Sequence, residues 1–240
     1  EVNMNKRTSV TCLLLLAMVA FTLMAKTPLH AAEEVMPQQF VNLKEVIPDI
    51  KIDLRYYTGK NFIGERIDGY HAEKALMTEK AAKALKKVRN DLRHFGLSLK
   101  IFDAYRPQRA VDHFVRWAED VNDTRMKTVF YPGVSKEHLF EKGYIAAKSS
   151  HSRGSTVDLT IVPENASPLA NGLDMGSGFD LFSKKSWPDS MAVSPQARAN
   201  RMLLQTLMKK HGFAPYSKEW WHFTYRDEPF PDTYFDFPIE

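Results

Sequence analysis

Four side chains stand out for the chemistry their types could perform together. The stretch Ser149-Ser150-His151-Ser152-Arg153-Gly154-Ser155-Thr156-Val157-Asp158 sets an imidazole and a carboxylate seven positions apart, with a glycine between them. Downstream, Glu219-Trp220-Trp221-His222 supplies a second imidazole and a second carboxylate. Two histidines and an aspartate make a three-ligand set for zinc, and the leftover Glu219 has the chemistry of a general base. The spacing sets conditions on the backbone. Residues an odd number apart on a strand face opposite ways. The chain must therefore turn at Ser152-Arg153-Gly154 before a strand carries Asp158, with Gly154 supplying the freedom to do so. Glu219 and His222 need a bulge or a strand start near Trp220 to share a face.

Arg106 is the next candidate. It lies in Asp103-Ala104-Tyr105-Arg106-Pro107, after a predicted strand and locked by the proline that follows. One reading makes it a buried salt bridge to Asp103. The other aims its guanidinium at negative charge that develops in a transition state. The remaining histidines lack a partner pattern, and His94, His113 and His211 fall on predicted helices. Other hydrolytic chemistries lack their residues. The chain has no His-Glu-x-x-His helix motif, no Gly-x-Ser-x-Gly elbow, no Ser-x-x-Lys pair and no Gly-rich phosphate loop.

The elements that must position these groups can be read from periodicity. Ile50 to Tyr56 alternates apolar and polar residues like a strand. Met77 to Phe95 reads as an amphipathic helix with Thr78 as N-cap and Gly96 as its stop. Leu97 to Phe102 reads as the strand that delivers Arg106, and Gln108 to Glu119 as a second helix. Thr156 to Val162 is strand-like around Asp158. Pro163 to Asp189 is rich in Gly, Pro, Ser and Asn and reads as a long loop. Ser194-Pro195 opens a helix that runs to about His211, and Glu219 to Tyr225 is the last predicted strand. Glu33 to Asn42 reads as a polar lead-in. Strands and helices do not alternate strictly, so the expectation is one α+β domain with a mainly antiparallel sheet and packed helices.

Composition sets the outer limits. The 240 residues are 44% apolar and 26% charged, suited to one globular domain. Basic and acidic residues, 33 and 29, are interspersed, with no basic stripe of the kind that binds nucleic acid. Residues 1–32 have a secretory signal layout: Lys6 and Arg7, an apolar run from Val10 to Ala25, then small residues at Ala31-Ala32. The run is short for a membrane span, and no later segment is long and apolar enough to be one. The expectation is a cleaved signal at 1–32, a periplasmic domain at 33–240, and no stable membrane insertion afterwards. Cleavage would remove Cys12, the only cysteine, leaving neither a disulfide nor a cysteine nucleophile.

The assembled motifs resemble a known family. Ser-x-His-x-x-Gly-x-x-x-Asp and Glu-x-x-His are shared among zinc DD-peptidases, a group with a DD-peptidase/hedgehog-like fold. Asp-Ala-Tyr-Arg-Pro, Asp-Leu-Arg-Tyr and Asn-Phe-Ile-Gly look more like its D-alanyl-D-alanine dipeptidase branch, and the likeness runs from about Val41 to Tyr225. The resemblance implies that His151, Asp158 and His222 hold one Zn²⁺, that Glu219 is the general base, and that Arg106 stabilises the oxyanion. It places Tyr56 and Ser149 near the substrate and Asp174 at its ammonium group. Mn²⁺ or Fe²⁺ also suits such a ligand set, with availability and geometry favouring zinc. The implied substrate is the small dipeptide D-Ala-D-Ala, split during cell-wall recycling or catabolism. The alternatives are a DD- or LD-carboxypeptidase trimming peptidoglycan stems, and a wall-binding module without catalysis. Retention of both Glu219 and Arg106 counts against the last.

Overall fold

The computed structural model describes residues 35–168 and 170–240. The segment read as a signal peptide lies outside them. Among the described residues, seven strands and five α-helices follow one another. They are β1 (Phe40–Asn42), α1 (Leu43–Val46), β2 (Lys51–Ile52), β3 (Leu76–Thr78), α2 (Glu79–Arg93), β4 (Leu97–Asp103) and α3 (Gln108–Glu119). After these come α4 (Lys127–Phe130), β5 (Thr156–Pro163), α5 (Pro195–Lys210), β6 (Phe213–Tyr216) and β7 (Glu219–Tyr225). The main sheet has the order β2-β4-β5-β7-β6, and only the β2–β4 pair is parallel. Strands β1 and β3 form a separate antiparallel pair. The α+β architecture and the mainly antiparallel sheet are as expected. Among the described residues, no helix is long and apolar enough to cross a membrane.

Strand β5 is central and buried along nearly its whole length. Its apolar residues Val157, Leu159 and Ile161 alternate with Thr156, Asp158 and Thr160, so one sheet face is apolar and the other carries Asp158. Helix α2 packs on β4, α5 packs on β6, and the two helices touch each other. Helix α3 adds Phe114 and Trp117 to an aromatic cluster with Tyr56, Phe62 and Phe182.

Three elements differ from the sequence reading for local reasons. Met77 and Thr78 end strand β3 instead of beginning a helix, because β1 pairs with them. Thr78 still precedes the first turn of α2, but its hydroxyl caps nothing and is hydrogen-bonded to Ser155 Oγ at 2.7 Å. Strand β2 is two residues long. Beyond it, Asp53 and Arg55 keep donating backbone N–H groups to Ile101 and Phe102 of β4. The end of the lead-in, which forms β1, and the short β6 are strands that the sequence reading does not contain. Each spans only three or four residues, less than the alternation signal needs. Helix α5 starts as read, with Ser194 Oγ accepting from Ala197 N–H at 3.1 Å.

Candidate metal centre and catalytic cleft

Register across the sheet places the first groups. Asp158 of β5 stands directly opposite His222 of β7, and Asp103 of β4 stands opposite Asp158 on the other side. Directly opposed residues share a face with their Cβ atoms about 4.5–5.5 Å apart, so these three side chains form a row across the sheet. Both conditions set by the sequence spacing are met. Ser150–Arg153 forms one 3₁₀ turn, with Ser149 Oγ accepting from His151 N–H at 3.3 Å. Gly154 ends the turn at φ +79°, and a Cβ there would collide with the Phe40 ring. Near Trp220 the pairing of β7 with β6 slips, running from Pro215↔Phe223 to Tyr216↔Glu219. Glu219 is also the first residue of β7, and it shares the cleft with His222.

His151 Nε2, His222 Nδ1 and Asp158 Oδ1 converge. The two nitrogens are 3.2 Å apart, and they lie 3.3 and 3.2 Å from the oxygen. Donors set tetrahedrally about 2.0–2.1 Å from a zinc ion would be about 3.3–3.4 Å from one another. The outer ring atoms account for the tautomers. His151 Nδ1 lies 2.7 Å from the Ala104 carbonyl and donates to it, which leaves Nε2 with its lone pair inward. His222 Nε2 lies 3.3 Å from Ser150 Oγ and has the same arrangement available. Asp158 Oδ1 is buried yet accepts no hydrogen bond. With the proton of each imidazole on its outer nitrogen, three lone pairs face one point, a donor set that fits a divalent cation. Among the described residues, these three are also the group whose ligand atoms lie close enough together to hold a metal.

Charge in the site follows from the same contacts. Burial works to raise the Asp158 carboxyl, but the two imidazoles outweigh it and hold the group well below the usual carboxylate range. Burial pushes His151 down, keeping it neutral as a ligand must be. Glu219 Oε2 lies 3.5 Å from His222 Nδ1, and burial raises its carboxyl to about 7. That value suits a group that takes and returns a proton near neutral pH.

Arg106 makes the buried salt bridge of its first reading and also lines the cleft. Its Nε and one terminal nitrogen each lie 2.9 Å from Asp103 Oδ2, and that terminal nitrogen is 3.5 Å from Asp158 Oδ2. Its other terminal nitrogen reaches Ser149 Oγ at 3.5 Å, and the guanidinium lies over the Tyr56 ring. Asp103, which also accepts from Tyr70 Oη at 2.6 Å, fixes the guanidinium beside the candidate metal ligands. The segment holding Arg106 is pinned by the C-terminal tail. The Tyr105 ring stacks on Phe237 at 4.1 Å and its hydroxyl donates to the Phe237 carbonyl. Phe235 N–H bonds the Ser152 carbonyl, so the same tail braces the His151 turn.

One cleft of about 340 Å³ gathers Tyr56, Arg106, Ser149, His151, Asp158, Glu219 and His222. Asp174 does not line it, which corrects the reading that put Asp174 at a substrate ammonium group. Its Oδ1 accepts from Gly176 N–H at 2.8 Å, and the residue lines a different cavity. The long loop delivers Asp180 instead. Asp180 is buried at φ +59°, lines the cleft, and accepts from Tyr56 Oη at 2.9 Å. Burial first, then the charges of Asp158 and Glu219, push its carboxyl well up, so its charged form needs a cation beside it. The sequence signal, an acid between apolar residues in Phe179-Asp180-Leu181, was shared by Leu173-Asp174-Met175 and did not separate the two.

Residues 36–240 match the family described as D-ala-D-ala dipeptidase. The chain belongs to that family. It is 42% identical over 85% of its length to a D-alanyl-D-alanine dipeptidase of Streptomyces coelicolor, covering all of that protein. It is 38% identical over 84% of its length to one from Enterococcus faecium, covering 98% of it. Among solved structures, it overlaps a VanY D,D-pentapeptidase variant from a VanB-type resistance cassette, crystallised with Zn(II). That match has 14% identity and a TM-score of 0.38 and covers 65% of this chain and 76% of the other.

Proposed function

We propose that this domain hydrolyses the dipeptide D-Ala-D-Ala to two D-alanines with one zinc ion held by His151, Asp158 and His222. The observation that carries the reading is the triangle of lone pairs from these residues with Glu219 beside it, in a chain of this family. When bound, zinc supplies Lewis acidity to the scissile carbonyl and to the attacking water. Glu219 takes the proton of that water and passes it to the leaving amine, and its raised pKa matches both transfers. Arg106, held by Asp103, stabilises the negative charge that develops on the carbonyl oxygen. Asp180, supported by Tyr56, takes the substrate ammonium, and Ser149 offers a hydroxyl beside Arg106.

Turnover of free D-Ala-D-Ala by the zinc-loaded protein, compared with a tripeptide and a pentapeptide ending in D-Ala, tests the reading. A kcat/KM for the dipeptide at least a hundredfold above the others is expected. Comparable values for the longer peptides would instead establish a DD- or LD-carboxypeptidase.

Export is part of the same proposal and rests on the basic, apolar and small-residue layout of residues 1–32. In the periplasm the enzyme would meet dipeptide released by wall turnover, in a recycling or catabolic role. N-terminal sequencing of the protein from a periplasmic extract should begin near residue 33. A full-length chain found only in the cytoplasm would overturn this part.

A further inference from the structure

A second cavity of about 400 Å³ is lined by Arg55, Lys100, Phe102, Asp174, Phe179 and Trp220, among others. None of these six lines the catalytic cleft. Its chemistry is set by two cations that share one acceptor. Arg55 Nη2 lies 2.9 Å and Lys100 Nζ 3.5 Å from the same oxygen, Asp53 Oδ2. At this wall two cations meet one carboxylate, and Asp174, the acid elsewhere in the lining, makes no ion pair with either. Among the described residues, Lys100 finds one further acceptor, the Ala170 carbonyl at 2.7 Å, and Arg55 Nε finds none. Both cations lie over the Phe102 ring, at 4.9 and 5.5 Å from its centroid.

An ammonium buried to 3% exposure on strand β4 is costly to keep charged, and burial does push its pKa down. A second cation beside it adds to the cost. A bound anion offsets both, and aromatic walls suit a ligand with a small apolar part. Asp174, the acid that lines the cavity, has its Oδ1 engaged by the Gly176 amide.

We infer that this cavity binds a small carboxylate, with the carboxylate group on the cavity side of Arg55 and Lys100. The site is separate from the catalytic cleft, but a wall connects them. Phe179, which packs on Phe102 at 4.8 Å, immediately precedes Asp180 of the cleft, and Trp220 immediately follows Glu219.

The test is acetate titration of the zinc-loaded protein, read by saturation-transfer NMR, for the wild type, Arg55→Gln and Lys100→Met. Parallel titrations with D-alanine would distinguish a free amino acid from a simple carboxylate as the better occupant. Saturable binding that weakens tenfold or more in both variants is expected for at least one of the two probes. Affinities indistinguishable among the three proteins for both probes would overturn the inference. Crystals of the wild type soaked in bromide locate the site without relying on a variant. Anomalous density beside Arg55 and Lys100 is the supporting result, and density only elsewhere the contrary one.

Discussion

Replacing Glu219 with glutamine separates two consequences of one buried carboxylate. The side chain keeps its size and loses its ability to carry a proton. Positioned general bases contribute about 10²–10⁴ in rate, so kcat/KM should fall by that factor, or about 3–5 kcal/mol in the barrier. Metal content should stay at one per chain, because no atom of the converging triangle belongs to Glu219. Stability of the metal-free protein should move the other way. The Glu219 carboxyl titrates near 7 in the fold, against about 4.3 for a free glutamate. Between those values the folded protein holds a proton that the unfolded chain has released, so stability falls as pH rises and the loss is complete above 7. A shift of that size is worth on the order of 3 kcal/mol, and partial exposure of the side chain reduces it to about 1–3 kcal/mol. Glutamine abolishes the loss. At pH 8 the chelated variant should therefore melt above the chelated wild type, by about 2–4 °C for each kcal/mol gained. Calorimetry on chelated samples, zinc analysis and dipeptide hydrolysis on the same preparations measure all three quantities. Wild-type turnover by the variant would refute the general-base role. Loss of zinc would make Glu219 a ligand, and unchanged melting would refute the account of its burial.

The other expectations concern the metal, the oxyanion and the substrate's charged end. Zinc at a hundred times its dissociation constant should stabilise the wild type by about 2.7 kcal/mol, and Asp158→Asn should abolish that shift in the melting temperature along with activity. Arg106→Lys loses the paired contact with Asp103 and should cut kcat by about 10²–10³ with zinc content unchanged, measured by steady-state kinetics and metal analysis. Asp180→Asn should raise KM for D-Ala-D-Ala at least tenfold, whereas Asp174→Asn should leave KM and kcat as they are. The reverse result would restore Asp174 to the substrate site.

How much of this was legible in the sequence depends on how far apart the cooperating residues lie. His151 and Asp158 share one short segment, so their types, their odd spacing and the intervening glycine already required the turn that Gly154 makes at φ +79°. Glu219 and His222 likewise demanded the slip near Trp220 that appears between β6 and β7. Helix α3 was readable to the residue, because its signals are local and uninterrupted. Met77 and Thr78 were misassigned because their pairing partner, β1, is more than thirty residues upstream and carries no pattern of its own.

The choice between Asp174 and Asp180 shows the same limit at the level of function. Both acids sit between apolar neighbours in one irregular loop, and nothing local ranks them. What ranks them is Tyr56, which lies 124 positions from Asp180 and presents its hydroxyl at 2.9 Å. Tyr56 is in turn held against Phe114 of α3 and beneath the Arg106 guanidinium. The acid that faces the cleft is thus set by an aromatic cluster from three separate segments. The candidate metal centre obeys a different rule: its Asp158 and His222, with Asp103 that holds Arg106, form a row because three neighbouring strands are in register. A centre built on sheet register is rigid, whereas the end of the cleft built on loop packing is where substrate preference can change without disturbing the metal. Substitutions that alter which dipeptides are cleaved should therefore concentrate around Asp180 and its loop, and substitutions in the row should remove activity towards every substrate alike.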